Sequence, residues 1–143
     1  MTTIATDELN DLRMHAENGD PRSQYELGLR CETGEGVPRD PADAARWILQ
    51  AASLGLAEAQ FKAGLICHRR ALVRAHAAPN EAMIEAYKWF TLAAAHGSRN
   101  AKDNRDWAAL QMKRAEVAEG ERRAGEFVAA AQPFGVSTEP LRV

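Results

Sequence analysis

Residues 31–40 read Cys-Glu-Thr-Gly-Glu-Gly-Val-Pro-Arg-Asp. The Gly-Glu-Gly at their centre has two readings: a glycine loop whose amides cradle a phosphate, or punctuation between two helices. A phosphate loop follows a strand, opens a helix and usually supplies a Lys or a third Gly. Here the preceding residues carry helical periodicity, Arg39 stands where the third Gly would be, and Glu35 puts a negative charge in the middle. The stretch therefore reads as punctuation. Gly34 ends a helix, Val37 packs back on the pair, Pro38 stops propagation, and Asp40 with Pro41 starts the next helix.

Working outward, the chain repeats itself. Ser-Gln-Tyr-Glu-Leu-Gly-Leu-Arg-Cys (23–31) matches Ala-Gln-Phe-Lys-Ala-Gly-Leu-Ile-Cys (59–67) at a shift of 36 residues. The segment from Ala44 to Gly55 matches the segment from Ala86 to Gly97 at a shift of 42, pairing Trp47 with Trp89 and Ala51-Ala52 with Ala93-Ala94. Self-similarity at such a period is the mark of a repeat architecture. The second repeat carries six more residues than the first, between Cys67 and Ala82.

Each half-repeat has one apolar stripe at helical spacing. Gln24, Leu27, Gly28 and Cys31 form one, and Gln60, Ala63, Gly64 and Cys67 form its copy. The partner stripes are Ala44, Ile48, Ala51 and Ala52, then Ala86, Phe90, Ala93 and Ala94. Such i, i+3, i+4, i+7 patterns predict buried helix faces. Asp20-Pro21 and Asp40-Pro41 supply N-caps with proline in the first turn, and Gly19, Gly34, Gly55 and Gly97 supply C-terminal stops. Helices are predicted near 5–18, 21–33, 41–54, 57–73, 80–96, 99–111 and 114–130. The fold class is all-α: an α/α solenoid of about seven helices.

These residues resemble a known family. The run Gln-Tyr-x-Leu-Gly, then Gly-Glu-Gly-Val-Pro-x-Asp, then Ala-x-Trp-x-x-x-Ala-Ala-x-x-Gly is similar to the Sel-one-like repeat (SLR), a tetratricopeptide-type helical repeat, in its bacterial form. The resemblance implies a right-handed superhelix of antiparallel helix pairs. Its first helices would line a concave face used to assemble protein complexes. The expected organisation is a single helical-repeat domain over 1–131. Within it, 5–19 is an N-terminal partial unit, 21–56 repeat 1, 57–98 repeat 2 with the insertion, and 99–131 a degenerate capping unit; 132–143 is a flexible tail. In that capping unit Arg105 and Asp106 stand where Leu27 and Gly28 stand in repeat 1.

Composition fits a soluble protein, with 45% hydrophobic, 27% charged and 6% aromatic residues and a formal charge of −2. That charge gives no general attraction to nucleic acid or to an anionic membrane. The first residues lack the basic start and apolar run of a signal peptide, and no apolar run is long enough to span a bilayer. The expectation is a cytoplasmic protein without membrane contact. Cys31 and Cys67, on neighbouring repeats, should sit one helix spacing apart, too far for a disulfide.

Chemistry-bearing residues do not converge. Cys67-His68 offers a nucleophile beside a base, but helix neighbours point about 100° apart. His15, His68, His76 and His96 lack a zinc pattern. No catalytic, cofactor or metal residue is nominated. The family's geometry, applied position by position, gives Arg22, Glu26, Leu29 and Glu32 on the concave face of repeat 1 and Glu58, Lys62, Leu65 and His68 on that of repeat 2. The end unit adds Asn100, Asn104, Trp107 and Gln111. Leu29, Leu65 and Trp107 would form an apolar row for a peptide, unless Trp107 is buried under the last helix. The insertion at 68–76 adds Arg69, Arg70 and Arg74 on a helix extended by about two turns. It reads either as a solvated surface or as a contact for an acidic segment or a phosphate backbone. The function expected is a non-enzymatic adaptor that binds a protein or peptide. The alternatives are a small hydrolase-like enzyme and a phosphate or nucleic-acid contact through 68–76, the latter lacking aromatic residues for stacking. Self-association at an exposed array end is left open.

Overall fold

The structure, a computed structural model, describes residues 2–74 and 79–131 of the chain. The tail at 132–143 and the end of the insertion at 75–78, His76 included, lie outside the described residues. Among the described residues there are seven helices and no strand. They are α1 (Thr2–Glu17), α2 (Pro21–Thr33), α3 (Pro41–Ser53), α4 (Ala57–Val73), α5 (Glu81–Ala95), α6 (Arg99–Leu110) and α7 (Arg114–Ala131).

The starts follow the cap chemistry. Asp20 accepts the Ser23 amide at 3.0 Å, and Asp40 accepts the Asp43 amide at 3.1 Å. Asn80 and Ser98 cap α5 and α6 in the same way, through the amides of Met83 and Ala101. At the opening stretch, Gly34 adopts φ +80°, a left-handed conformation that costs glycine least. The amides of Gly34 and Glu35 both donate to the Arg30 carbonyl, at 2.7 and 3.1 Å, and the Asp40 amide donates to Cys31 at 2.8 Å. These glycine-loop amides are spent on the helix end, so they do not face a phosphate. Val37 turns inward and is buried with Leu27, Cys31, Ala44 and Trp47.

Helices α2 and α3 pack as one pair and α4 and α5 as the next, with α3 against α4 joining them. Both predicted first-helix stripes are buried. Glycine lets each pair close. A Cβ on Gly28 would stand 2.7 Å from Cγ1 of Ile48, and one on Gly64 would stand 2.4 Å from Cε1 of Phe90. Buried glutamines add the link to the preceding helix. Gln24 Nε2 donates to the Ala16 carbonyl at 3.0 Å, and Gln60 Nε2 donates to that of Ala52 at 3.3 Å. Each therefore ties a first helix to the last turn of the helix before it.

The end of the array departs from this plan. Helices α6 and α7 each pack on α5 and hardly approach one another. The cause is local: Asp106 occupies the place where Gly28 and Gly64 allow close contact, and it is exposed, with Lys102 and Arg105 as its ion partners. Gly120 of α7 makes the close approach instead, against Tyr87 of α5. Arg123 of α7 then reaches Glu81 and Glu85 of α5, each at 3.0 Å, and Glu116 accepts the Asn80 amide at 2.9 Å. Phe127 lies edge-on to Trp89, with ring centroids 5.6 Å apart. Helix α4 ends at Val73, as predicted, but this is four residues past the position matching Thr33, so the extension is one turn and not about two.

Candidate functional site

The α2 and α4 residues expected on the concave face are joined by ion pairs between the two helices. Arg22 lies 3.8 Å from Glu58, and Lys62 lies 2.7 Å from Glu32. Glu26 accepts from Arg30 on its own helix at 3.3 Å. Exposed pairs of this kind contribute little to stability, typically below about 1 kcal/mol. Leu29 and Leu65 are half-buried, and Leu65 packs against the core. They offer apolar surface without being loose in solvent.

Two aromatic residues absent from the sequence-derived row adjoin it. Tyr25 and Phe61, equivalent at the 36-residue shift, line a 370 Å³ cavity with Ala57, Glu58, Ala93 and His96. Burial, and then the charges of Glu58, Glu32 and Glu26, push the Tyr25 hydroxyl above its ordinary range. That places the phenol among the acids of the row. The signal was present in the sequence, since Tyr and Phe recur beside the invariant spacing of Gln and Gly, but their half-buried position is a tertiary fact.

The remaining candidates are more dispersed. His68 is half-buried, its ring edge-on to Phe90 with centroids 6.5 Å apart, and its Nε2 is buried without a hydrogen-bond partner among the described residues. Arg69, Arg70 and Arg74 are exposed on the last turn and end of α4. Trp107 is 60% exposed, so it is not buried beneath α7. Asn104 donates to the Asn100 carbonyl at 2.8 Å, while Asn100 and Gln111 are exposed.

Both cysteines are buried free thiols. Burial, followed by the charge of Glu85, pushes the Cys67 thiol up to about 11, and burial with Asp43 raises that of Cys31. A thiol held protonated is a poor nucleophile. Among the described residues no hydrogen bond joins Cys67 to His68, and no group of His, Cys, Asp and Glu is arranged to hold a metal ion.

A second recurring feature lies between successive second helices. Arg13, Glu17, Cys31, Asp43, Arg46 and Trp47 line a 160 Å³ cleft. Their repeat equivalents Leu49, Ser53, Cys67, Glu85, Lys88 and Trp89 line one of 400 Å³. In each an acid holds a cation over a tryptophan: Asp43 and Arg46 at 2.6 Å over Trp47, Glu85 and Lys88 at 2.9 Å over Trp89. Arg46 and Lys88 thus act first in stacking the indoles, whose burial closes each pair.

Comparison with known proteins follows the same lines. The family model for the Sel1 repeat matches residues 21–56 and 57–98, more than half of the chain. Among solved structures the chain is similar to c5321, described as a protective antigen of uropathogenic Escherichia coli strains displaying an SLR fold. The TM-score is 0.70 and the identity 23%, over 85% of this chain and 25% of that one. It thus spans about a quarter of that relative's length. It is also similar to a Sel1 repeat protein from Oxalobacter formigenes, with a TM-score of 0.58 and 24% identity, over 87% of this chain and 97% of that one. At such identities the likeness speaks for the fold alone. No curated protein matches the sequence.

Proposed function

Because the chain belongs to the Sel1 repeat family, we propose that it is a non-enzymatic adaptor whose concave face, lined by α2 and α4, holds a peptide or protein segment. The family is generally one of protein–protein interaction scaffolds. The observation that carries the reading is the joined row itself. The Arg22–Glu58 and Glu32–Lys62 pairs make one surface of two helices, with Leu29 and Leu65 as its apolar anchors and the Tyr25–Phe61 cavity at its edge. Apolar anchors ringed by charge suit the recognition of a protein segment, where a few desolvated side chains carry most of the affinity. No helix among the described residues is long and apolar enough to cross a membrane. The protonated, unpaired thiols suit a reducing compartment, and cytoplasmic residence is part of the proposal.

The hydrolase alternative has little support, because Cys67 is held protonated and has no bonded base. The test of the adaptor reading is the double variant Leu29→Glu/Leu65→Glu, with circular dichroism to establish folding. Two buried carboxylates in the row should weaken capture of a protein partner at least about a hundredfold, since leaving unpaired charge in an interface costs several kcal/mol. A folded double variant that captures the same partner at full strength would remove the row from the function.

A further inference from the structure

We propose that the junction of the two repeats carries a second binding site, a cleft that takes a carboxylate side chain of an acidic protein segment. The cleft is 280 Å³ and is walled by Arg39 from the α2–α3 turn and by Arg69 and Arg70 from α4. Its floor is Ala42, Ala45 and Ile66, of which Ala45 and Ile66 are each 8% exposed. Three arginines line it, in a chain whose formal charge is −2.

Their charge is uncompensated. Arg69 and Arg70 have no hydrogen bond or ion pair among the described residues, whereas Arg22, Arg30, Arg46, Arg105, Arg122 and Arg123 all pair with acids. Arg39 spends only its Nε, on the Glu32 carbonyl at 3.2 Å. The one carboxylate on the wall, Glu32, is already held by Lys62 at 2.7 Å. The cleft therefore has a surplus of guanidinium donors, which bind a planar carboxylate in bidentate fashion.

The floor selects among anions. A methylene stem can lie on Ala42, Ala45 and Ile66 while its carboxylate meets the arginines, which fits a glutamate side chain better than a bare inorganic ion. No aromatic residue lines the cleft for bases to stack upon. The Asp43 amide in the first turn of α3 is not a donor to the cleft, because Asp40 already accepts it. The site depends on the longer α4. Repeat 1 ends its first helix at Thr33, the position matching Arg69, whereas α4 continues through Val73, so Arg70 stays on the helix instead of entering a turn.

This site goes beyond the concave row and does not rest on it. The experiment titrates the full chain with a capped hexaglutamate peptide at fixed low ionic strength, following the arginine Nε–H resonances by NMR. Inorganic phosphate and a single-stranded oligonucleotide are titrated in parallel. Saturable shifts at Arg39, Arg69 and Arg70 are expected with the peptide. They should weaken about tenfold or more in Arg69→Gln/Arg70→Gln, and persist in Arg99→Gln. Folding of each variant is checked by circular dichroism. The proposal fails if the peptide gives no saturable shift, if phosphate or the oligonucleotide binds there as tightly as the peptide, or if Arg99→Gln weakens binding as much as the double variant.

Discussion

Gly64→Leu should destabilise the protein by about 3 kcal/mol and lower its Tm by roughly 10 °C. A Cβ at Gly64 would already stand 2.4 and 2.5 Å from two ring atoms of Phe90, well inside contact distance. Phe90 has nowhere to go: it is fully buried, with Phe61 at 6.1 Å and His68 at 6.5 Å between centroids. The whole side chain of leucine must therefore push α4 from α5, the pair with the most extensive packing in the chain. Gly125→Ala is the contrast. It too is a helical glycine, but a Cβ there meets nothing within 4 Å, so helix propensity should make it stabilising by roughly 0.5–1 kcal/mol. Denaturant melts of the two variants decide the matter. A Gly64→Leu variant no less stable than the parent would mean that the glycine at 64 does not serve the close approach of α4 and α5.

Gly120→Leu should release α7 while leaving both repeats folded. Its Cβ would stand 2.7 Å from Cδ1 of Tyr87 and 3.4 Å from the Ile84 carbonyl. Because α7 packs on α5 and scarcely on α6, the loss is confined to one helix. Amide exchange along α7 should accelerate about ten- to a hundredfold, the counterpart of roughly 1–3 kcal/mol of local overpacking, with α2 to α5 unchanged. Acid should act on the same contact. Hydrogen bonds from Arg122 and Arg123 hold the Glu119 carboxyl at about 2. Backbone amides of Lys113 and Asn80 hold Glu116 below its ordinary range. Burial would raise Glu85, but Lys88 and Arg123 outweigh it and keep that carboxyl low as well. Carboxyls depressed in the folded state stabilise above their unfolded value near 4.5 and lose that contribution as pH falls through the folded values. Protection of the α7 amides, taken relative to the intrinsic exchange rate at each pH, should thus fall progressively from about pH 4.5 towards pH 2, and less steeply in Arg123→Met. A flat profile would show that Arg123 and the acids do not hold the helix.

Much of the fold was legible in local sequence because its devices are local. Asp20, Asp40, Gly34 and the stripes at Gln24 to Cys31 and Gln60 to Cys67 each act within a turn or two of helix, and the structure has them in those roles. The splayed α6 and α7 were not read, although their cause was visible. Asp106 at a close-contact position forbids the usual pair, and Gly120 marks where the approach moves. What periodicity does not contain is which neighbour a helix chooses. The same holds for the site. The resemblance put Arg22, Glu32, Glu58 and Lys62 on one face, but their cross-helix pairing depends on how two repeats stack. Arg39 lines one cleft with Arg69 and Arg70 only because the turn of repeat 1 folds beside the C-terminal end of α4, two segments about 30 residues apart in the chain.

The central claim is that the face bearing Leu29 and Leu65 holds a protein segment. A photo-crosslinking residue placed in turn at Leu29, at Leu65 and at the exposed Gln50 of α3, with adducts mapped by mass spectrometry from the native cell, tests it directly. Adducts from positions 29 and 65 to one segment of a single partner, with none from position 50, are the predicted result. Adducts to a partner from position 50 alone would contradict it.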